Sequence, residues 1–212
     1  MTHFGIPFEE ILIPFGPTFD DPDWKAKVKA HNPQGKVPAL VDGETAVWES
    51  LAIMEYLADK YPDKNIWPRD IKARALARSI SCEMHAGFSA LRNACVMNLG
   101  MKHPAKDRGP AVDADVKRIT QIWNDARARF GAVGPFLFGP FTAADAMYAP
   151  VTTRLRTYSI AVDSVSEAYI DAVQATPAFQ SWRKAALQEP WIVPLDEVDE
   201  PVLEDYRPHL KR

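Results

Sequence analysis

The residues best placed to do chemistry lie in one stretch, Asn32 to Ser50. It contains a Val37-Pro38 pair that opens an apolar run, and it ends in Glu49-Ser50 at the start of a strong helical pattern. Proline is acceptable as the first residue of a strand, and Pro38 is a candidate for a cis peptide bond, which usually marks a tight turn. Helix N-termini attract anions through backbone N–H groups and the helix dipole. The stretch therefore predicts a site for a small peptide or carboxylate.

The elements around this stretch predict an α/β unit over residues 1–66. Gly5 suits the C-terminal cap of a short helix end, and Asp21-Pro22 is a typical helix start. Between them the apolar segment Glu10 to Phe15 predicts a short buried strand, ended by a loop at Pro14, Gly16 and Pro17. Two apolar runs around Asp42-Gly43 predict a hairpin, and Ser50 is expected to cap the helix from Leu51 to Tyr61.

Residues 70–189 are predicted to be entirely helical, after a polar segment that follows Pro62 and contains Pro68. Apolar residues from Leu76 to Leu99 recur at helical spacing and predict one long helix, and a second runs from Val112 to Phe130. The patterns Thr142 to Asp145 and Ser164 to Glu167 predict capping boxes, and Thr176-Pro177 predicts the start of the last helix. Residues 190–212 hold four prolines and an acidic cluster, so we expect an extended surface tail.

Composition excludes several classes of protein. The net charge of −3 does not indicate a nucleic-acid or anionic-membrane partner, and no apolar run approaches the length of a membrane span. We find no signal-peptide pattern at the N-terminus. Cys82 and Cys95 are expected to be free thiols of a cytoplasmic protein, each most simply a small buried core residue. His31 and His103 lack partners at ligand spacing, so no metal site is predicted.

Taken together, the motifs resemble those of the cytosolic glutathione transferases, in particular a bacterial type. The likeness rests on N-P-x-G-K-V-P-A-L from residue 32, E-S-x-A-I-x-x-Y-L from residue 49 and the T-x-A-D box at residue 142. The resemblance implies a thioredoxin-like N-terminal domain followed by an all-helical C-terminal domain. It further implies a homodimer that uses glutathione as co-substrate and needs no other cofactor.

The resemblance also implies roles for individual residues. Val37, before Pro38, would pair through its backbone with the cysteinyl part of glutathione. Glu49 and Ser50 would hold the γ-glutamyl end, and Lys36 would approach the glycyl carboxylate. Asp145 would be a buried capping aspartate that serves folding rather than catalysis. Three further residues, Met84, His85 and Phe88, are candidates for contact with a second, electrophilic substrate. Methionine and phenylalanine at helical spacing are, however, usually core residues.

The resemblance begins near the end of the family's first helix. The family's first strand and the loop with its thiol-activating Ser, Tyr or Cys are therefore expected to precede Met1, and no catalytic residue is named. Two explanations are considered: a natural start upstream of Met1, or a decayed form. The expected function is transfer of glutathione to a small electrophile, or its use in isomerising or reducing one. The alternative is a non-catalytic binding or protein-interaction module with the same fold.

Overall fold

The computed structural model describes residues 1–15 and 21–207. The chain divides into two compact units, Met1–Ile66 and Trp67–Arg212. Gly16 and Pro17 of the predicted loop, and residues 208–212 of the predicted tail, lie outside the described residues. The described helices and strands are α1 (Pro22–Lys29), β1 (Ala39–Asp42), β2 (Thr45–Trp48), α2 (Ser50–Lys60), α3 (Ile71–Ala86), α4 (Ser89–Ala94), β3 (Met101–Lys102), α5 (Pro110–Phe130), α6 (Ala143–Thr157), α7 (Ser164–Gln174), α8 (Pro177–Ala186) and β4 (Glu204–Asp205), with short 3-10 helices at Thr2–Phe4, Pro62–Lys64 and Pro194–Asp196.

The first unit is built on a hairpin and two helices. Gly5 ends the first 3-10 helix with a φ of 60°, and Asp21 caps α1 by accepting a hydrogen bond from the Trp24 amide at 2.8 Å. Both caps were predicted and are confirmed. Strands β1 and β2 form the predicted antiparallel hairpin, whose two-residue loop holds Gly43 with a φ of 61° and Glu44. The positive φ explains why glycine stands at that turn.

The strand predicted from Glu10 to Phe15 is wrong. The segment has no regular structure, and Ile11 and Leu12 are 65% and 58% exposed. A strand needs a neighbour to take its backbone hydrogen bonds, and among the described residues β1 and β2 pair only with each other. Residue types alone predicted the strand; the missing partner explains why it does not form.

The second unit is a helical core centred on α6. The Trp123 indole meets the rings of Tyr148 and Tyr169 edge-on at 5.7 and 4.8 Å, and all three side chains are fully buried. The Tyr148 hydroxyl donates a hydrogen bond to the Ile80 carbonyl at 3.0 Å, which fixes α6 against α3. Among the described helices, none has the length and apolar character needed to cross a bilayer.

The single long helix predicted from Leu76 to Leu99 is wrong, because it is broken between α3 and α4. Gly87 ends α3 with its amide bonded to the Glu83 carbonyl, and Phe88 takes a left-handed φ of 57°. A Cβ at Gly87 would lie 2.7 Å from that carbonyl oxygen, so glycine fits where other residues clash. Apolar spacing continues through the break, which is why the sequence pattern did not show it.

The capping box at Thr142 is confirmed. Asp145 accepts hydrogen bonds from the Thr142 amide at 2.8 Å, the Thr142 hydroxyl at 3.0 Å and the Leu137 amide at 3.1 Å. Burial raises the pKa of the Asp145 carboxyl to about 6, although these hydrogen bonds act in the opposite direction. The second predicted box, from Ser164, is wrong: Asp163 caps α7 instead, accepting from the amides of Val165 and Ser166. Asp163 lies one residue before Ser164 and occupies the N-cap position, so its carboxylate accepts the hydrogen bonds of the first helical amides.

Residues 194–207, here called the C-terminal strap, run back along the helical unit. Strand β4 pairs antiparallel with β3, and the Tyr206 amide donates to the Gly100 carbonyl at 2.8 Å. Glu200 anchors the middle of the strap, accepting from Arg108 at 2.8 and 3.2 Å and pairing with Lys106 at 2.7 Å. The Arg108 side chain is 4% exposed and lies over the Tyr158 ring at 4.4 Å. The strap is therefore held by a largely desolvated ion pair.

Replacing Glu200 by Gln should loosen the strap. The change leaves the buried Arg108 guanidinium without its carboxylate, which should lower the free energy of unfolding by about 1–3 kcal/mol in urea melts. Hydrogen bonds from Arg108 and Lys106 lower the pKa of Glu200 to about 2. The stability that this carboxylate contributes should thus be complete above its unfolded pKa and be lost as the pH falls from about 4.5 towards about 2.

The matched control is Glu204→Gln, on the same strap. Glu204 makes an exposed pair with Lys102 at 3.5 Å, so its replacement should change stability by less than about 0.5 kcal/mol. Equal effects of the two substitutions would contradict the anchoring role of Glu200.

Candidate functional site

The geometry of the candidate site follows from the register of the β1–β2 hairpin. Ala39 pairs with Trp48 at the open end of the hairpin. The residues just before Ala39, Val37 and Pro38, and the residues just after Trp48, Glu49 and Ser50, therefore leave the hairpin at the same end. Since paired strands lie about 5 Å apart, the two halves of the predicted site are brought side by side.

The first half of the site is the loop that leads into β1. Asn32 is buried and holds this loop from inside, because its amide donates to the Lys36 carbonyl at 2.7 Å and its oxygen accepts from the Gln34 amide at 2.9 Å. The Val37-Pro38 peptide bond is cis, and Val37 is 50% exposed. Among the described residues, the backbone N–H and C=O of Val37 make no hydrogen bond, so their bonding capacity is not used within the chain.

The second half is the N-terminus of α2. The first hydrogen bond of this helix runs from the Ile53 amide to the Glu49 carbonyl at 3.0 Å. The amides of Ser50, Leu51 and Ala52 precede it and are available to an anion. The expectation that Ser50 caps α2 is wrong: Glu49 occupies the cap position and Ser50 is the first helical residue. Ser50 thus sits where both its amide and its hydroxyl can serve a carboxylate.

Glu49 stands in an unusual backbone conformation, with φ 68° and ψ 126°. A non-glycine residue held at positive φ in a sparsely populated region of φ/ψ space is strained by about 1–3 kcal/mol. Such residues are found preferentially at functional sites. A glycine here would relieve the strain and remove the carboxylate. This conformation makes Glu49 a candidate functional residue.

One interaction ties α2 to the hairpin. Asp42, the last residue of β1, accepts a hydrogen bond from the Tyr56 hydroxyl at 2.7 Å and pairs with the Lys60 ammonium, both from α2. The hydrogen bonds of Lys60 and Tyr56 lower the pKa of the Asp42 carboxyl. The helix whose N-terminus forms the site is therefore connected to the strand that presents Val37.

The structure places the other candidates in the helical unit. Met84 and Phe88 are buried at 8% and 7% exposure, and His85 is exposed, with its carbonyl accepting from Arg92 at 3.1 Å. Their contact with a second substrate stays a prediction. Cys82 is exposed and Cys95 is buried, and both are free thiols; the expectation of a buried core residue is thus wrong for Cys82. Among the described residues, no group of three side chains could hold a metal ion.

Sequence reasoning missed two features of the site. Asn32 was recognised only as the first residue of the motif, although an Asn side chain commonly accepts a hydrogen bond from the backbone two residues on, in an Asx-turn that orders a loop. The positive φ of Glu49 had no signal, because glutamate is uncommon in that region of backbone space.

Comparison with known proteins decides the family. The description "Glutathione S-transferase, N-terminal domain" matches residues 1–60, and "Glutathione S-transferase, C-terminal domain" matches residues 109–185. Glutathione S-transferase GstB of Escherichia coli K12 is 31% identical over 149 residues, which cover 68% of this chain and 69% of that protein. The chain belongs to the glutathione S-transferase family.

Two further relatives define the extent of the likeness. A probable maleylacetoacetate isomerase of Caenorhabditis elegans is 42% identical over 81 residues, covering 38% of each chain, so the match spans about two fifths of that relative. A glutathione transferase homolog from Burkholderia, solved with bound glutathione, has a TM-score of 0.57 at 23% identity and covers 76% of this chain and 78% of that one. The predicted transferase fold, a thioredoxin-like domain followed by a helical domain, is confirmed.

The strain at Glu49 can be tested by comparing the stability of its glycine variant with that of its alanine variant. Both Glu49→Gly and Glu49→Ala remove the carboxylate, but only glycine accepts φ 68° without strain, so the Gly variant should be the more stable by about 1 kcal/mol in urea unfolding. The control pair is Glu55→Gly and Glu55→Ala within α2, where alanine should be the more stable by about 1 kcal/mol. The same order at both positions would contradict the account.

Proposed function

We propose that this chain binds glutathione at the open end of the β1–β2 hairpin. The Val37 amide and carbonyl pair with the cysteinyl residue of the tripeptide, as an added antiparallel strand does. Ser50 and the first amides of α2 hold the γ-glutamyl carboxylate, and Glu49 faces the adjacent ammonium. Lys36 approaches the glycyl carboxylate.

The observation that carries the proposal is the hairpin register, with Ala39 opposite Trp48. It brings a peptide-like pair of backbone groups next to a helix N-terminus and a carboxylate. Glutathione presents the matching groups in the same order: a backbone amide next to an α-carboxylate and an α-ammonium. The bound glutathione in the Burkholderia homolog, which shares the fold, supports the same ligand class.

The proposed reaction is attack of the glutathione thiolate on a small electrophile, or use of the thiol in isomerising or reducing one. Thiol nucleophiles react as thiolates, so catalysis needs a group that lowers the pKa of the bound thiol. None of the residues assigned above has that role. Their part is to fix the tripeptide, which lowers the entropic cost of bringing its sulfur to a second substrate.

A second candidate function is a glutathione-binding module without chemistry. What favours it is that the four contacts proposed above, from Lys36, Val37, Glu49 and Ser50, all go to the backbone and charged ends of the tripeptide, and none, including any from Pro38 beside Val37, goes to its sulfur. Turnover of a generic aryl halide with glutathione separates the two candidates, because a binding module retains glutathione without forming a conjugate. The proposal also includes a homodimer, as the resemblance implies, and a cytoplasmic location, as the two free thiols suggest.

Glutathione affinity should depend on Ser50. Ser50→Ala removes a hydroxyl donor to a carboxylate, a charge-assisted hydrogen bond of about 1.5–3 kcal/mol, and should weaken binding about ten- to hundredfold in calorimetric titrations. The control is Ser79→Ala on α3, whose hydroxyl only donates to the Ala75 carbonyl of its own helix. It should bind like the unaltered chain.

Two results would contradict the binding proposal: no heat of glutathione binding by the unaltered chain, or equal affinities for Ser50→Ala and Ser79→Ala. The first would reject glutathione as ligand, and the second would place it away from the α2 N-terminus.

A further inference from the structure

A second candidate site lies wholly within the helical unit, under the C-terminal strap. It is a cavity of about 190 Å³ between β3, α6, α7, α8 and the strap residue Tyr206. The proposed glutathione residues all belong to the other unit, and none of them lines this cavity. Its volume lies below the range of about 300–1,000 Å³ that holds drug-sized ligands, which limits an occupant to a small molecule.

The walls of this cavity carry positive charge. Lys102, Arg156 and Arg183 all line it, and no Asp or Glu is among the lining residues. Arg156 is already engaged by Glu167 at 2.6 Å and Asp171 at 2.5 Å. Lys102 has only the long, exposed pair with Glu204 on the strap, at 3.5 Å. The charge of Arg156 is therefore compensated, that of Lys102 is only weakly paired, and Arg183 is left to be considered.

Arg183 is the cation most available to a ligand. Its guanidinium lies over the Tyr206 ring at 4.8 Å, and among residues 1–15 and 21–207 it has no carboxylate partner. A half-buried guanidinium beside an aromatic ring presents a planar fork of donors, which suits the two oxygens of a carboxylate or sulfonate.

The remaining walls are apolar or neutral. Met101 and Phe179 are buried beneath the cavity, and Thr153 and Gln174 add neutral polar groups. Tyr206 supplies a second aromatic face from the strap side. A pocket with apolar walls and a few placed polar groups selects a ligand with a flat apolar body and one anionic group.

We propose that this cavity binds a small aromatic carboxylate or sulfonate, with the anionic group on Arg183 and the ring against Tyr206 and Phe179. Lys102 adds a second positive charge at the rim. Because Tyr206 belongs to the strap, occupation of the cavity also holds the strap in place. The site is independent of glutathione binding, so either can fail without the other.

The test uses equilibrium dialysis of the full chain against labelled salicylate, with benzamide as the uncharged analogue. Salicylate should bind with one equivalent per chain, benzamide at least fivefold more weakly, and saturating glutathione should not displace salicylate. Arg183→Met keeps the apolar stem of the side chain and should weaken salicylate binding at least fivefold. Lys184→Met, one residue along the same helix and exposed, should change it less than twofold.

Tyr206→Leu, on the strap rather than on α8, provides an independent second variant and should also weaken salicylate at least fivefold. Absence of salicylate binding, equal affinity in Arg183→Met and Lys184→Met, or displacement by glutathione would each overturn the proposal. The last result would place salicylate in the glutathione site instead.

Discussion

The register of one short hairpin is the constraint on which the candidate site depends. Pairing of Ala39 with Trp48 sends Val37-Pro38 and Glu49-Ser50 out of the same end of the β1–β2 ribbon. A slip of one residue would turn every side chain of a strand to the opposite face and separate the two halves. The Asx-turn of Asn32 on one side and the Asp42 interactions with α2 on the other hold the ends of that ribbon in place.

The helical unit is stabilised by different means. Its core contains aromatic side chains packed edge to face. Along its surface runs the C-terminal strap, which is held mainly by the desolvated ion pair of Arg108 with Glu200. Removing one partner of a buried ion pair destabilises the fold strongly, because it leaves the other charge buried without a partner. The loss is larger than the stability that the intact pair adds over an apolar replacement. The anchor thus fixes one position of the strap, and that position shapes the cationic cavity below Tyr206.

The sequence predicted those parts of the fold that depend on local chemistry. The caps at Asp21 and Thr142, the hairpin around Gly43 and the family itself followed from residue types at fixed spacing. The errors arose where a distant partner or a backbone conformation decides. The strand at Glu10 to Phe15 lacks a neighbour, and the long helix breaks at Gly87 although its apolar spacing continues.

The same division holds for the candidate site. Val37, Pro38, Glu49 and Ser50 were found from motifs, whereas the cap position of Glu49 and the scaffold role of Asn32 needed coordinates. The cavity under the strap had no sequence signal, because Lys102, Arg183 and Tyr206 lie far apart along the chain. Only the return of the strap brings them together.

We infer that the hairpin register assembles one glutathione site from two short segments. The decisive experiment is an amide-resolved NMR titration of the full chain with glutathione. The resonances of the Val37 and Ser50 amides should shift together with a single dissociation constant, while those of Gly43 and Glu44, at the opposite end of the hairpin, should not shift. Shifts at Gly43 and Glu44 without shifts at Val37 and Ser50, or no shifts at all, would contradict it.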